Sequence, residues 1–129
     1  MARSKANSIR AFIPARDLDA SRRFYRDLGF EEIWGDDGAC GMELDGCGII
    51  LQKFYVKQHA ENFMMALSVE DVDSWWEHIE RNKLKENHAL GMAKPPAMQP
   101  WGFRVLYITD PTGVLWHIAE YLKPSNRGE

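Results

Sequence analysis

The stretch Ala15-Arg16-Asp17-Leu18-Asp19-Ala20-Ser21 returns 54 residues later as Val69-Glu70-Asp71-Val72-Asp73-Ser74. In each copy an apolar run ends and an Asp follows at the place of a helix N-cap. A second Asp then falls in the first helical turn, where the helix dipole favours negative charge. A looser echo comes later. Asp45-Gly46-Cys47-Gly48-Ile49-Ile50-Leu51-Gln52 is matched by Asp110-Pro111-Thr112-Gly113-Val114-Leu115-Trp116-His117. Both echoes keep the same order, so the chain reads as two copies of one module. Two similar sheets side by side leave a cleft between them, and its lining decides the function.

Working outward, residues 9–15 read as a strand with Ala11, Ile13 and Ala15 on one face and Arg10, Phe12 and Pro14 on the other. Pro14 lacks an N–H and belongs near a strand end or at an edge. Asp17 caps a helix running to Leu28, with Leu18, Ser21, Tyr25 and Leu28 on one face and Gly29 as its stop. Short strands follow near 30–34, 39–44 and 48–55, separated by Gly35-Asp36-Asp37-Gly38 and Asp45-Gly46. The polar run 56–62 is a connector. The second module opens with a strand at 63–69, where Met65, Leu67 and Val69 oppose Met64, Ala66 and Ser68. Its helix, capped by Asp71, carries Val72, Trp75, Trp76 and Ile79 at helical spacing. Lys83 to Pro100 reads as a weak strand and a loop. Strands at 103–109 and 114–121 complete the module. The predicted fold is α+β, with two tandem βαβββ modules at 9–55 and 63–121. A flexible arm at 1–8 and a loose tail at 122–129 flank them.

Composition narrows the function. The chain has 129 residues, 45% of them hydrophobic, enough for one packed body. A net charge of −3 offers no basic stripe for nucleic acid. No apolar run is long enough for a membrane span, and Met1 to Ser8 is polar with no apolar signal core, so a cytoplasmic location is expected. Cys40 and Cys47 are expected to be reduced, structural and buried.

Arg16-Asp17-Leu18-Asp19 before a helix with Phe24-Tyr25, then Leu28-Gly29-Phe30, resembles the opening of the vicinal-oxygen-chelate superfamily. The run Gly102-Phe103-Arg104, Asp110-Pro111-Thr112-Gly113 and Trp116-His117-Ile118-Ala119-Glu120 resembles its close. The likeness covers about residues 9–121 and includes Pro96-Ala97-Met98, a pattern similar to the metal-free bleomycin-resistance type. The superfamily also contains glyoxalase I, extradiol dioxygenases and metal-dependent fosfomycin-resistance enzymes, so the fold alone does not choose a function. The resemblance further implies a homodimer, in some members with modules exchanged between chains.

In the metalloenzymes of that superfamily, ligands come from the first and last strands of each module. One position lies seven residues before the helix-cap Asp, the other four residues after the turn glycine. Here these fall on Arg10 and Met64, on His117 after Gly113 and, by the repeat, on Gln52 after Gly48; a one-residue shift gives Leu51. A guanidinium does not ligate metal, and a thioether suits Cu(I) rather than the harder divalent ions. Too few donors remain for a stable site, which normally needs three or more. No metal, no cofactor and no catalytic residue are therefore expected. The reading is a metal-free small-molecule binder, sequestering an antibiotic or aromatic metabolite. The alternative is a metal-dependent lyase or dioxygenase with a displaced site that recruits His59 or Glu43 beside His117.

The expected guest-binding residues are Arg10, Phe12, Gln52, Phe54, Met64, Ser68, Trp101 and His117. They mix apolar walls with a few polar groups, as small-molecule pockets do. Plainer roles stand beside these. Arg10 either clamps an anion or pairs with Glu43 or Glu120; Phe12 and Met64 either meet a guest or pack the core; His117 either contacts a guest or is hydrogen-bonded within the sheet. Trp75 and Trp76 read as core or dimer interface, and His59, His78 and His88 as solvated.

Overall fold

Strong local signals start each module. In the computed structural model, which describes residues 2–120, Asp17 Oδ1 accepts the Ala20 N–H at 3.1 Å and opens α1 (Leu18–Leu28). Asp71 Oδ1 accepts the Asp73 and Ser74 N–H groups and opens α3 (Val72–Arg81). Around α1 lie β1 (Ala11–Ala15), β2 (Glu31–Gly35), β3 (Ala39–Leu44) and β4 (Cys47–Lys53). A short helix, α2 (Lys57–Asn62), fills the expected connector. Around α3 lie β5 (Met64–Val69), α4 (Leu84–Asn87), β6 (Ala93–Met98), β7 (Arg104–Thr109) and β8 (Leu115–Glu120). The stretch expected as weak strand and loop is thus a helical turn and an edge strand. Pro95 and Pro96 sit in a register break of β6, where missing N–H groups cost least. The expected loose tail lies outside the described residues, as does the last residue of the strand expected at 114–121.

The two sheets have the same topology, with strand orders β1-β4-β3-β2 and β5-β8-β7-β6. In each, the first strand lies parallel beside the last and the remaining pairs are antiparallel. Pro14 lies on β1, an edge strand, as its missing donor requires.

Alternation assigns the faces. Ile13, Ala15, Cys40, Met42, Ile49 and Leu51 of the first sheet are buried, together with Leu106, Ile108, Trp116 and Ile118 of the second. They form one core with Phe24, Tyr25 and Leu28 of α1 and Val72 and Ile79 of α3. The modules are therefore joined through their helix-bearing faces. Rings from both sides meet there, with Tyr25 edge-on to Phe24, Phe30 and Trp116.

A buried polar chain crosses this junction. Trp116 Nε1–H donates to Tyr25 Oη at 2.8 Å, and Tyr25 O–H donates to Asp110 Oδ2 at 2.7 Å. Asp110 Oδ1 accepts the N–H groups of Thr112, Gly113 and Val114, fixing the turn into β8. Burial, with help from the Asp110 charge, pushes the Tyr25 hydroxyl well above its ordinary pKa, so it stays a proton donor.

Three sequence expectations are corrected by packing. Cys47 is exposed at the β3–β4 turn, while Cys40 is buried; both thiols are free. His88 is not solvated, since its Nε2 lies 2.8 Å from Asp27 Oδ2 and its ring packs edge-on to Phe24. His78 Nε2 lies 2.7 Å from the Asp27 carbonyl oxygen. His78 and His88 thus both hold the end of α1. His59, the third, is exposed, with its ring near Phe54 and Phe63.

Candidate ligand-binding site

The helices cover one face of each sheet, and among the described residues no element packs over the other face. On β5, Met64, Ala66 and Ser68 point outward and are exposed. His117 stands beside Ala66 in the β5–β8 register and opposite Tyr107 across β7–β8. Trp101, at the tip of the β6–β7 hairpin, extends this wall, helped by a turn at Gly102 whose φ of 92° favours glycine. Together with Phe103, Val105 and Ala119 these residues line a pocket of about 440 Å³. Among the described residues its lining contains no Asp, Glu, Lys or Arg. Four expected site residues, Met64, Ser68, Trp101 and His117, are therefore brought together.

The other four lie on the outer face of the first sheet. Phe12 is 57% exposed and Phe54 49%, so neither is core packing in this chain. Gln52 is exposed and Leu51 is buried, which settles the parity of β4. Arg10 Nη2 pairs with Glu43 Oε2 at 2.6 Å, while Glu120 instead accepts the Val72 N–H. The expected ligand set is split between two faces on opposite sides of the shared core.

Two glycines shape the first face. A Cβ on Gly48 would lie 1.6 Å from Arg10 Nη1, and one on Gly41 would lie 2.2 Å from Trp34 Nε1. The guanidinium and the indole thus lie against bare backbone. Trp34 reaches this face through a register shift between Glu32 and Trp34, which also turns Glu32 inward to Arg26 at 2.6 Å. Sequence reasoning missed Trp34. The signal was Gly41, a mid-strand glycine that leaves room for a cross-strand aromatic. Gly48→Val is expected to displace Arg10 and lower stability by about 1–3 kcal/mol, read by chemical denaturation; an unchanged midpoint would mean the Arg10 contact is dispensable.

The repeat can now be laid on the sheets themselves. Ala15 pairs with Lys53 and Val69 with Glu120, so three residues earlier Ile50 corresponds to His117. The turn glycines agree. Gly46, at φ 84°, corresponds to Gly113, at φ 105°, and four residues after each come Ile50 and His117. Counting from Gly48 places the position two residues too far along β4. The repeat-related set is Arg10, Ile50, Met64 and His117.

A scan against protein families matches residues 7–118 to the Glyoxalase/Bleomycin resistance protein/Dioxygenase superfamily. The chain belongs to this superfamily. No curated protein matches the sequence. Among solved structures, one similar fold is the bleomycin-binding protein from bleomycin-producing Streptomyces verticillus, complexed with copper(II)-bleomycin. It is 22% identical, with a TM-score of 0.77 over 93% of this chain and all of that one (100%). A bleomycin resistance determinant encoded on the transposon Tn5 is 19% identical, with a TM-score of 0.75 over 92% and 100%. A lactoylglutathione lyase from Agrobacterium tumefaciens is 20% identical, with a TM-score of 0.66 over 90% and 95%. At these identities the likeness establishes the fold alone.

The superfamily includes metalloenzymes, but three of the side chains at these four positions are poor donors for a divalent ion. Arg10 is cationic and already paired, Ile50 has no donor atom, and Met64 offers only a soft thioether. Among the described residues no three His, Cys, Asp or Glu side chains group to hold a metal ion. The residues present do not fit a divalent metal at the superfamily position.

Proposed function

We propose that this protein binds small molecules without a metal and works as a homodimer whose two copies cover each other's outer sheet faces. The observation that carries the reading is the donor set. Of the four repeat-related positions only His117 is an ordinary ligand for a divalent ion, and one ligand does not hold one. The second-module pocket has the size and apolar lining of a small-molecule site. Sequestration of an antibiotic or aromatic metabolite is the role this chemistry suits, because the pocket offers stacking surface and no nucleophile paired with a base.

The dimer is supported by what lies uncovered. Phe12 (57%), Trp34 (46%), Met64 (61%) and Trp101 (59%) are exposed on the outer faces. Apolar surface of this kind marks an interface or a ligand groove. A second copy laying its first sheet over the second sheet of its mate closes both half-sites at once. No helix of the described residues is long and apolar enough to cross a membrane.

The test is elemental analysis of protein purified without chelators, paired with thermal shift. Flat, uncharged heteroaromatic compounds are expected to raise Tm and divalent metals to leave it unchanged. Near-stoichiometric divalent metal in the purified protein would overturn the reading. Light scattering is expected to give the mass of two chains; one chain at micromolar concentration would remove the dimer.

A further inference from the structure

Among the described residues, His117 Nε2 is sealed from water and has no hydrogen-bond partner. Its ring stands edge-on to Tyr107, with centroids 4.8 Å apart, and the residue lines the second-module pocket. An unmet polar nitrogen in such a place costs stability unless something else satisfies it. The neighbours have little to offer. Among the described lining residues only Ser68, two residues further along β5, and the indole N–H of Trp101 carry a strong side-chain donor or acceptor besides His117, and neither bonds Nε2. Among the described residues the lining also holds no Asp, Glu, Lys or Arg.

We propose that His117 is the specificity residue of this pocket, and that Nε2 reads the hydroxyl of an uncharged, planar aromatic guest of the phenol class. The inference rests on the binding role proposed above and names its ligand chemistry. A hydroxyl both donates and accepts, so it satisfies Nε2 in either imidazole tautomer. A carboxylate or ammonium group would have to leave water with no Asp, Glu, Lys or Arg among the described lining residues to meet it, and on the facing sheet of the proposed dimer Arg10 is already paired with Glu43. Because water does not reach Nε2, side chains must shift as the guest enters. Met64 and Met65 line the pocket and are the most adaptable side chains there.

The experiment compares four probes of one shape, 2-naphthol, naphthalene, 2-naphthoate and 2-naphthylmethylammonium, by NMR titration of ¹⁵N-labelled protein at neutral pH. The expected order puts 2-naphthol about tenfold tighter than naphthalene, one net hydrogen bond, with both charged probes weaker still. The imidazole ¹⁵N signal of His117 moves with 2-naphthol and not with naphthalene. In His117→Phe the tenfold preference disappears, while Tm stays level or rises because an unmet nitrogen has been removed. A His117→Gln variant, which keeps a polar group at the site, retains part of the preference. Equal affinity for naphthol and naphthalene in the unaltered protein overturns the assignment and leaves the binding role intact. Tighter binding of either charged probe overturns it too. If none of the four perturbs the second-module pocket, the binding role falls and this assignment falls with it.

Discussion

Asp110→Ala is expected to destabilise the protein by about 3–5 kcal/mol, the cost of breaking a buried charged network on one side. The side chain holds three backbone N–H groups of the turn and the Tyr25 hydroxyl. Removing it leaves Tyr25 and the turn amides unpaired at a junction where Asp110 itself is only 2% exposed. Tyr25→Phe removes a single group from the same chain and should cost less, about 1–3 kcal/mol. Urea denaturation checks both, and a loss for Asp110→Ala no larger than that for Tyr25→Phe would show that the turn does not depend on the carboxylate.

The same carboxylate sets a pH signature. Burial raises its pKa above the ordinary aspartate value, outweighing the hydrogen bonds that oppose it. Between those two values the folded state holds more proton than the unfolded chain. Stability therefore falls as pH rises through that window and levels off above it. Asp110→Asn should flatten this segment of the stability curve, even though it lowers stability at every pH.

A metal site rebuilt at the repeat-related positions is the second large effect. Arg10→His, Ile50→Glu and Met64→Glu, combined with the native His117, supply four hard or borderline donors. The expected change is from no measurable uptake of Zn²⁺ or Ni²⁺ to a Kd of about 1 μM or tighter, measured by competition with a chromophoric chelator. A control with Gln52→Glu in place of Ile50→Glu should bind far more weakly, because Gln52 stands two residues beyond Ile50, the β4 counterpart of His117. Since the two outer faces lie on opposite sides of one chain, tight binding also needs a second copy. Metal should then strengthen the dimer, and a metal-loaded monomer would contradict the proposed pairing.

The fold was legible in the sequence because its signals were local and repeated. An Asp at each helix cap, alternation in β5 and glycines at turns are short-range features, and each is where the sequence placed it. The errors came where tertiary contacts decide. His88 reads as a surface residue until α4 carries it onto Phe24 and Asp27. Helix α2 is short and polar, and only Ala60 of its residues is buried, so no apolar period announces it. Four of the eight expected site residues share a pocket and four do not, because the sequence shows which face a residue takes but not how the two modules are docked. Gln52 was placed by counting from the wrong glycine. Asp45-Gly46 reads as the turn from sequence, and the positive φ of Gly46 and the strand register agree in moving the position to Ile50.

The junction through the helix faces has a consequence for how this protein can change. All of its buried network lies on one side of each sheet, and the outer faces contribute almost nothing to it. Neither half can be expected to stand alone, because separating them strips the cover from Trp116 and Ile118. Yet Phe12, Ile50, Gln52, Met64, Ala66 and Ser68 can be exchanged in sequence space at little cost to folding. Under the proposed binding role, stability and recognition are written on opposite sides of the same strands, and a lineage built this way can change its guest without rebuilding its core.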